Sequence, residues 1–523
     1  MTLHSRFPSI ALFLSLISIL TLQSCQFSPI DSLSPSSIAQ PSVEALRLAL
    51  SPTIPYLTED YPLPTLSEEL SWAVQWSSSS LLIEEGILRY TSPHQDMTIT
   101  LTVDIAIPDA TQSFSYELLV LSQLNVPTMD QHPILRIDLH HQKEEADLYY
   151  EDYLTGNARI QYDHNGINLV KTISSSLGMR TRGHSTRFMP KRPYRIRFDE
   201  NTALFGMKPA KNYILLANYL DRSLIRNSLM IWMSKFYQNT MYTLDYRFVD
   251  LYINETYYGQ YLLTERVEFQ KNRLNIEPDL SQDDAGFMVE LDYQVYVQNQ
   301  GNENLEWFRM NDTPYVIKEP NPLDITSGYR FSHTRYMNNY FHAVRDALEA
   351  KSGYEDLIDI ENWLDYFLLQ EISKNVDVGW GSVYLVKPSG QPLKHMPLWD
   401  FDLAFGNANY VDYNPEGHWG WGTERKNLFF TLMMTLPAIR TRFKEKLQHF
   451  SSRILPEVLQ WLTDNEQRLT QLSEANFERW PIDACSGWCP IPNELQQTST
   501  LREQLDYLEN FIIARVDWMI HNI

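Results

Sequence analysis

The chain has 523 residues and carries 43 Lys and Arg against 65 Asp and Glu, which gives a formal net charge of −22 at pH 7. This acidity argues against general nucleic-acid binding, because that function needs basic surface to neutralise phosphates. Hydrophobic residues make up 43% of the sequence, with 30 Tyr, 23 Phe and 13 Trp, and this content excludes a disordered chain. Since single cores rarely grow past roughly 250–300 residues, the length predicts two or more domains.

Residues 1–25 have the pattern of a lipoprotein signal peptide. Arg6 precedes an apolar run from Ile10 to Leu22 that is short for a transmembrane helix. The following Leu22-Gln-Ser-Cys25 resembles a bacterial lipobox, which implies that Cys25 is lipidated and anchors the protein to the bilayer. An ordinary signal peptide with an incidental Cys is the alternative. Gln26 in place of Asp favours the outer membrane or the cell surface. Residues 26–52 are rich in Ser and Pro and predict a tether.

Residues 53–124 predict a small all-β sandwich, because short alternating runs are separated by polar turns. The runs are Trp72–Trp76, Ile87–Tyr90, Met97–Val103 and Phe114–Val120. The order of Leu63-Pro, Trp76-Ser-Ser-Ser, Gly86-Ile-Leu and Thr98-Ile-Thr-Leu-Thr resembles bacterial immunoglobulin-like domains. The resemblance implies a spacer or adhesion module.

From about residue 132 the pattern becomes mixed. Strands are predicted at Ile134–Leu139 and at Pro193–Phe198, and a hairpin is predicted from Phe248–Ile253 and Tyr258–Leu263. The residues from about 428 onward are mostly helical in pattern. A sheet-rich half followed by a helix-rich half indicates an α+β fold.

Two helices are predicted in this region from their caps and apolar stripes. Ser223 is the expected cap of one, with a stripe that includes Ile225, Leu229 and Phe236. Asp359 is the expected cap of the other, and that helix leads towards the segment that contains Asp377.

A group of acids carries the first indication of chemistry. Asp400 and Asp402 stand at the end of the apolar run that begins at Met396, where a strand ending in acids is one way to hold a divalent cation. Plain turn chemistry is the alternative. Asp377 precedes them on a predicted loop. This order matches the kinase plan, in which one Asp orients the hydroxyl and a later Asp binds magnesium.

Cys485 and Cys489 lie in a segment rich in Trp, Pro and Gly. In an exported chain such a close pair predicts a disulfide that staples a small loop. A metal site would need two more soft ligands nearby, and redox catalysis usually uses a tighter spacing.

Seven sequence blocks resemble the spore-coat protein H (CotH) kinase-like family, over roughly residues 132–520. The first is Arg182-Gly-His-Ser-Thr186 with Phe188-Met-Pro-Lys-Arg-Pro-Tyr-Arg-Ile-Arg-Phe198. The others follow in the family's order: Leu215–Asp221 with Arg226-Asn227, Val249–Asn254 with Tyr258–Tyr261, Gly286–Asp292, Tyr315–Lys318, Asn375–Asp377 and Trp399–Asp402.

The resemblance implies an atypical protein-kinase-like bilobal fold over residues 130–523, including the C-terminal helices. It also implies an enzyme that uses ATP and Mg²⁺ (or Mn²⁺) to phosphorylate Ser or Thr of exported proteins. Asp377 matches the catalytic Asp of the family, and Asp400 matches the metal-binding Asp. Asp402 and Ser382 are further candidate metal ligands.

The phosphates of ATP need positive charge, and a basic cluster on this acidic chain could supply it. The candidate nucleotide-binding residues are Arg182, Gly183, Ser185, Lys191, Arg195 and Arg197, with Arg192 in the same cluster. Gly183 would let backbone amides approach an anion. Glu265 or Asp221 is the expected partner of the phosphate-binding cation, and a surface charge is the alternative for either residue. A solvated strand face is the alternative explanation of the cluster.

Two positions depart from the family pattern. His184 stands where the family usually has Asn, and Ser382 stands where kinases place a metal-binding Asn. These departures leave open a catalytically degenerate surface lipoprotein that acts in adhesion or envelope assembly. The sequence predicts no oligomeric state.

Overall fold

The computed structural model describes residues 46–47, 49–50, 56–57, 60–66, 72–89, 97–107, 110–120, 133–164, 167–298, 306–323, 328–422, 425–483 and 489–523. The predicted signal peptide, Cys25 and most of the predicted tether lie outside the described residues. The chain divides into two compact units. One contains the described residues up to 53, within 63–77 and within 102–116, and the other contains the described residues within 54–62, 78–101 and 117–523.

The described residues between 56 and 120 form seven strands: β1 Tyr56–Leu57, β2 Tyr61–Pro62, β3 Ala73–Ser78, β4 Ile83–Glu84, β5 Ile87–Leu88, β6 Met97–Ile107 and β7 Ala110–Val120. They make a sheet of order β1-β7-β6-β3 and a smaller one of order β2-β5-β4. This content agrees with the predicted all-β character. The immunoglobulin-like assignment stays a prediction.

The next eight strands build a barrel-like sheet: β8 Ile134–Leu139, β9 Leu154–His164, β10 Ile167–Thr172, β11 Leu177–Thr181, β12 Tyr194–Thr202, β13 Ala210–Leu216, β14 Tyr246–Ile253 and β15 Thr256–Glu265. Their order is β10-β9-β11-β12-β13-β15-β14-β8. Because β8 also pairs with β9, seven strands close on themselves, and β10 is left at the edge.

The alternation predicted for β12 is present. Tyr194, Ile196 and Phe198 are buried in the barrel core, whereas Arg195 is half-buried and Arg197 is exposed. The predicted hairpin is confirmed as β14 and β15. Its turn residues Asn254 and Glu255 have φ angles of 47° and 64°, which suit a two-residue hairpin connection.

A second, five-stranded antiparallel sheet has the order β17-β18-β16-β19-β20. Its strands are β16 Phe287–Leu291, β17 Trp307–Met310, β18 Thr313–Glu319, β19 Val383–Lys387 and β20 Lys394–His395. Its apolar side chains share one large hydrophobic core with those of most of the helices.

The α-helices of this unit are α1 Arg226–Ser234, α2 Tyr293–Gln298, α3 Phe331–Ala350, α4 Ile360–Ser373, α5 Leu428–Met433, α6 Pro437–His449, α7 Leu455–Arg479, α8 Asn493–Gln496 and α9 Leu501–Asn522. A π-helical turn, Phe450–Ile454, joins α6 to α7. Within the part of the chain that the structure covers, no helix has the length and apolar character needed to cross a membrane. The mixed content confirms the α+β class, and the bilobal kinase-like arrangement stays a prediction.

One of the two predicted helix caps is confirmed and the other is wrong. The Asp359 carboxylate accepts a hydrogen bond from Asn362 N at the start of α4. Ser223 does not cap α1, which begins at Arg226 without a side-chain cap. The Asp221 carboxylate instead accepts from Arg226 N at 2.7 Å, because the chain turns once more before the helix starts.

His395 is a fully buried histidine whose ring lies 4.6 Å from that of Tyr366 and 4.7 Å from that of Trp363. Burial lowers the pKa of His395 to about 3. The unfolded chain takes up this proton below its ordinary pKa of about 6.5, and the folded chain does not until about pH 3. The stability that this difference provides is complete above pH 6.5 and is lost as the pH falls.

We therefore expect the free energy of unfolding to drop by about 2 kcal/mol between pH 7 and pH 5 through this group alone. His395→Phe should remove that part of the slope, as measured by urea unfolding at both pH values. Replacement of the exposed His521 by Gln is the control. Equal slopes in the parent and His395→Phe would contradict the assignment.

Candidate active site

Asp377 lies on a tight turn directly after α4. Its backbone N donates to Asn375 Oδ1 at 3.2 Å, and its carbonyl oxygen accepts from Trp380 N at 2.8 Å and from Gly381 N at 2.9 Å. The side chain is half-buried. These hydrogen bonds fix the backbone from which the carboxylate extends, and positioning of this kind is what a catalytic group requires.

Asp400 and Asp402 do not stand at the end of a strand, contrary to the sequence prediction. The preceding strand ends at His395, and the segment between is irregular. Asp400 has a φ of 69°, in the left-handed region that non-glycine residues seldom adopt. Its Oδ2 accepts a hydrogen bond from Ser382 Oγ at 3.0 Å. The two acids are therefore presented by a bent loop next to Ser382.

The three carboxylates influence one another. Burial, and then the charge of Asp400, raises the pKa of Asp377 to about 7. Burial raises the pKa of Asp400. Burial, followed by the charges of Asp400, Asp221 and Asp377, raises the pKa of Asp402 well above its ordinary range. Their mutual repulsion makes the site attractive to a cation.

The possible ligands for a metal ion at this site are the oxygen atoms of Asp400, Asp402 and Ser382. Among the described residues no three His, Cys, Asp or Glu side chains are grouped so that they could hold a metal ion by themselves. Mg²⁺ usually binds through one or two carboxylates together with water and substrate phosphates. Asp400 and Asp402 fit that mode, whereas the Ser382 hydroxyl already donates to Asp400.

The Arg182 loop lies beside Asp400. The Arg182 guanidinium carbon is 5.4 Å from the centre of the Trp399 ring, and its charge opposes the rise in the pKa of Asp400. Gly183 has a φ of 89°, and a Cβ there would meet Thr186 Oγ1 at 2.3 Å, so this turn requires glycine. Ser185 is exposed on the same loop.

Three other predicted nucleotide-binding residues have different surroundings. Lys191 is buried, and its Nζ donates to Gln260 O and to Asn476 Oδ1. Burial lowers the pKa of Lys191 to about 7. Arg195 donates to Asn212 Oδ1 at 2.8 Å, and Arg197 is exposed on β12. The structure gives no contact between these three and the carboxylates.

The remaining charged candidates also have partners elsewhere. Arg192 forms an ion pair with Glu145. Glu265 pairs with Arg273, with Nε and Oε1 3.3 Å apart, and accepts from the Tyr242 hydroxyl. Burial raises the pKa of Glu265 to about 7. The structure thus joins Glu265 to a buried network and not to Arg182.

Three site residues were not assigned from the sequence. Glu290 lies on β16, Asp292 follows that strand, and Lys318 Nζ on β18 lies 2.8 Å from Glu290 Oε2. The charges of Glu290 and Asp292 contribute to the raised pKa of Asp377. The sequence did contain a signal for Glu290 and Asp292. They are two residues apart at the end of an apolar strand, and alternate residues of a strand lie on the same face.

A buried ion pair positions the Asp400 loop. Arg226 Nη1 lies 2.6 Å from Asp221 Oδ1, and both side chains are fully buried. Arg226 Nε donates to Ala404 O at 3.1 Å. Asn227 Oδ1 accepts from the backbone N of Phe401 at 2.8 Å. Asp221 therefore supports the loop and is paired with Arg226.

A second buried pair fixes the segment around residues 415–420. Arg515 on α9 and Glu371 on α4 are fully buried, with Nη2 and Oε1 2.9 Å apart. Arg515 also donates to Gly417 O at 2.6 Å, and Glu371 accepts from the backbone N of Trp419 and of Gly420. The last long helix thereby contacts the helix that leads to Asp377.

Cys489 is disulfide-bonded. Cys485 lies outside the described residues, so its pairing with Cys489 stays a prediction.

A family model described as CotH kinase protein matches residues 179–519, more than half of the chain. The chain belongs to the CotH kinase family. The matched range begins in β11 and ends in α9, so it includes Arg182, Asp377, Asp400 and Arg515. No match is found among curated proteins. The kinase-like nature implied by the sequence blocks is thereby confirmed at the level of the family.

Proposed function

We propose that this CotH family member is an atypical Ser/Thr protein kinase that transfers the γ-phosphoryl group of ATP to surface or envelope proteins. The observation that carries the proposal is the set of repelling carboxylates, Asp377, Asp400 and Asp402, with Arg182 beside Asp400. Phosphoryl transfer relies on positioning and charge stabilisation, and such a site can supply both. Export and lipid anchoring at Cys25 form part of the proposal on the basis of residues 1–25.

Asp377 is the proposed base. With a pKa of about 7, its carboxylate can accept the proton of a Ser or Thr hydroxyl near neutral pH while the phosphoryl group is transferred. The turn that follows α4 holds it in place. Asp377 therefore acts on the acceptor and not on ATP.

Asp400 and Asp402 are the proposed metal-binding residues, with Ser382 orienting Asp400 through its hydroxyl. A bound Mg²⁺ or Mn²⁺ would neutralise charge on the phosphates. Arg182 is the proposed phosphate-binding cation on the Asp400 side. Lys318 is a second one, since it is half-buried and paired with Glu290 in a way that fixes its position.

The test is transfer of label from γ-labelled ATP to a Ser- and Thr-containing protein acceptor, with purified protein and MgCl₂. We expect transfer that EDTA abolishes and that Asp400→Ala reduces to background. Replacement of the exposed Asp517 by Ala is the matched control, because it removes the same charge from the surface of α9. A folded parent protein that neither binds ATP nor transfers label would refute the proposal.

A second candidate function is a degenerate kinase-like protein that acts in adhesion or envelope assembly. The observation that favours it is Ser382, whose hydroxyl is engaged with Asp400 where kinases use an Asn ligand. This candidate predicts that the folded parent protein transfers no more label than Asp400→Ala does. The same assay therefore separates the two functions.

A further inference from the structure

Arg425 lies against the turn that carries Asp377. A Cβ on Gly379 would meet the carbonyl oxygens of Lys426 and Arg425 at 2.5 and 2.7 Å, so the two backbone segments touch. Asn427 Nδ2 also donates to Val378 O at 2.8 Å. The backbone of Arg425 is therefore fixed next to the proposed base.

The side chain of Arg425 is half-buried. Its Nε is buried and has no hydrogen-bond partner in the part of the chain that the structure covers. Its guanidinium carbon lies 5.7 Å from the centre of the Tyr410 ring, and its charge acts on Asp377. A buried cationic N–H without an acceptor is costly, and this position calls for an anion.

We propose that Arg425 is a further catalytic residue, whose guanidinium contacts the phosphoryl group during transfer to the hydroxyl that Asp377 deprotonates. The inference rests on the proposed kinase activity. In the step, the bond between the γ-phosphorus and the bridging oxygen breaks, and ADP leaves with the electron pair. The acceptor oxygen forms the new bond to phosphorus, and its proton passes to Asp377.

A phosphoryl group is the expected ligand of Arg425 because of the chemistry of its guanidinium group and its position beside Asp377. A guanidinium presents a planar fork of N–H groups that matches phosphate oxygens. Arg182 lies on the Asp400 side, whereas Arg425 lies on the Asp377 side, where the phosphoryl group meets its acceptor. Charge that develops there during transfer is what a fixed cation stabilises most.

The experiment compares Arg425→Gln and Arg425→Ala with Lys426→Gln, which removes an exposed positive charge one residue away. We expect Arg425→Gln to lower kcat by about 100–1000-fold, with the KM for ATP changed by less than about threefold, as for an interaction made only in the transition state. Lys426→Gln should behave as the parent. Guanidinium chloride at millimolar concentration should restore part of the activity of Arg425→Ala.

The rescue also guards against a structural explanation, since added guanidinium cannot refold a collapsed loop. The inference is overturned if Arg425→Gln transfers label like Lys426→Gln. It is also overturned if only the KM for the acceptor rises, because Arg425 would then be a contact for an acidic acceptor residue. A lack of rescue by guanidinium would overturn it too. A parent without transfer would refute the proposed function and this inference with it, whereas an active parent isolates the question of Arg425.

Discussion

Asp377→Asn is expected to leave ATP binding intact and to stop transfer, whereas Asp400→Asn is expected to remove metal-dependent ATP binding. Asp377 contributes through the acceptor proton, an interaction that appears only in the transition state. Loss of a general base typically costs about 10²–10⁴-fold in rate. Asp400 lies beside Ser382 and Arg182, so loss of its charge weakens the hold on the cation and its phosphates.

Both variants are nearly isosteric with the parent, and both remove a carboxylate from a repelling group. Their melting temperatures without ligand should therefore equal or exceed that of the parent. ATP binding by calorimetry, with and without MgCl₂, and label transfer would be measured for each, with Asp517→Asn as the surface control. If both variants bind and transfer like the parent, the kinase roles of these acids are wrong.

Arg226→Met is expected to lower the free energy of unfolding by about 3–5 kcal/mol. The reason is that Asp221 would remain as a buried charge without its partner, since both side chains are fully buried. The change also removes the hydrogen bond from Arg226 Nε to Ala404 O. Urea unfolding would measure the loss, with the exposed Arg440 replaced by Met as the control.

The double variant Asp221→Leu with Arg226→Met provides the decisive comparison. Replacing both members of a buried pair by apolar residues is often much less costly than removing one. The double variant should therefore regain a good part of the lost stability. Equal stability of the parent and Arg226→Met would show that the pair contributes little to the fold.

Much of the fold could be predicted because its signals are local. The alternation of Tyr194, Ile196 and Phe198, and the cap at Asp359, depend on residues close together in the chain, and the structure confirms both. The strand expected to end at Asp400 was wrong. An apolar run alone does not distinguish a strand from a buried irregular segment.

The residues of the candidate site were harder to predict from the sequence than the fold was. Asp377, Asp400 and Arg182 could be chosen from family blocks, and the structure relates Asp400 to both of the others through charge. Lys191 was chosen from the first family block and for its charge, yet it is buried beside Asn476. Such pairings join distant parts of the chain, and charge patterns do not reveal them. The Glu290–Lys318 pair was missed for the same reason.

The contact between Arg515 and Glu371 has a consequence for biosynthesis. Arg515 is made after Asp377 and Asp400 have left the ribosome, and the 415–420 segment gains its contacts to Pro415 O and Gly417 O only when α9 has docked. A nascent or prematurely terminated chain that stops before α9 would carry every proposed catalytic residue and still lack the contacts that fix the 415–420 segment and Glu371. Under the proposed function, phosphotransfer would thus be withheld until α9 has been made and has docked.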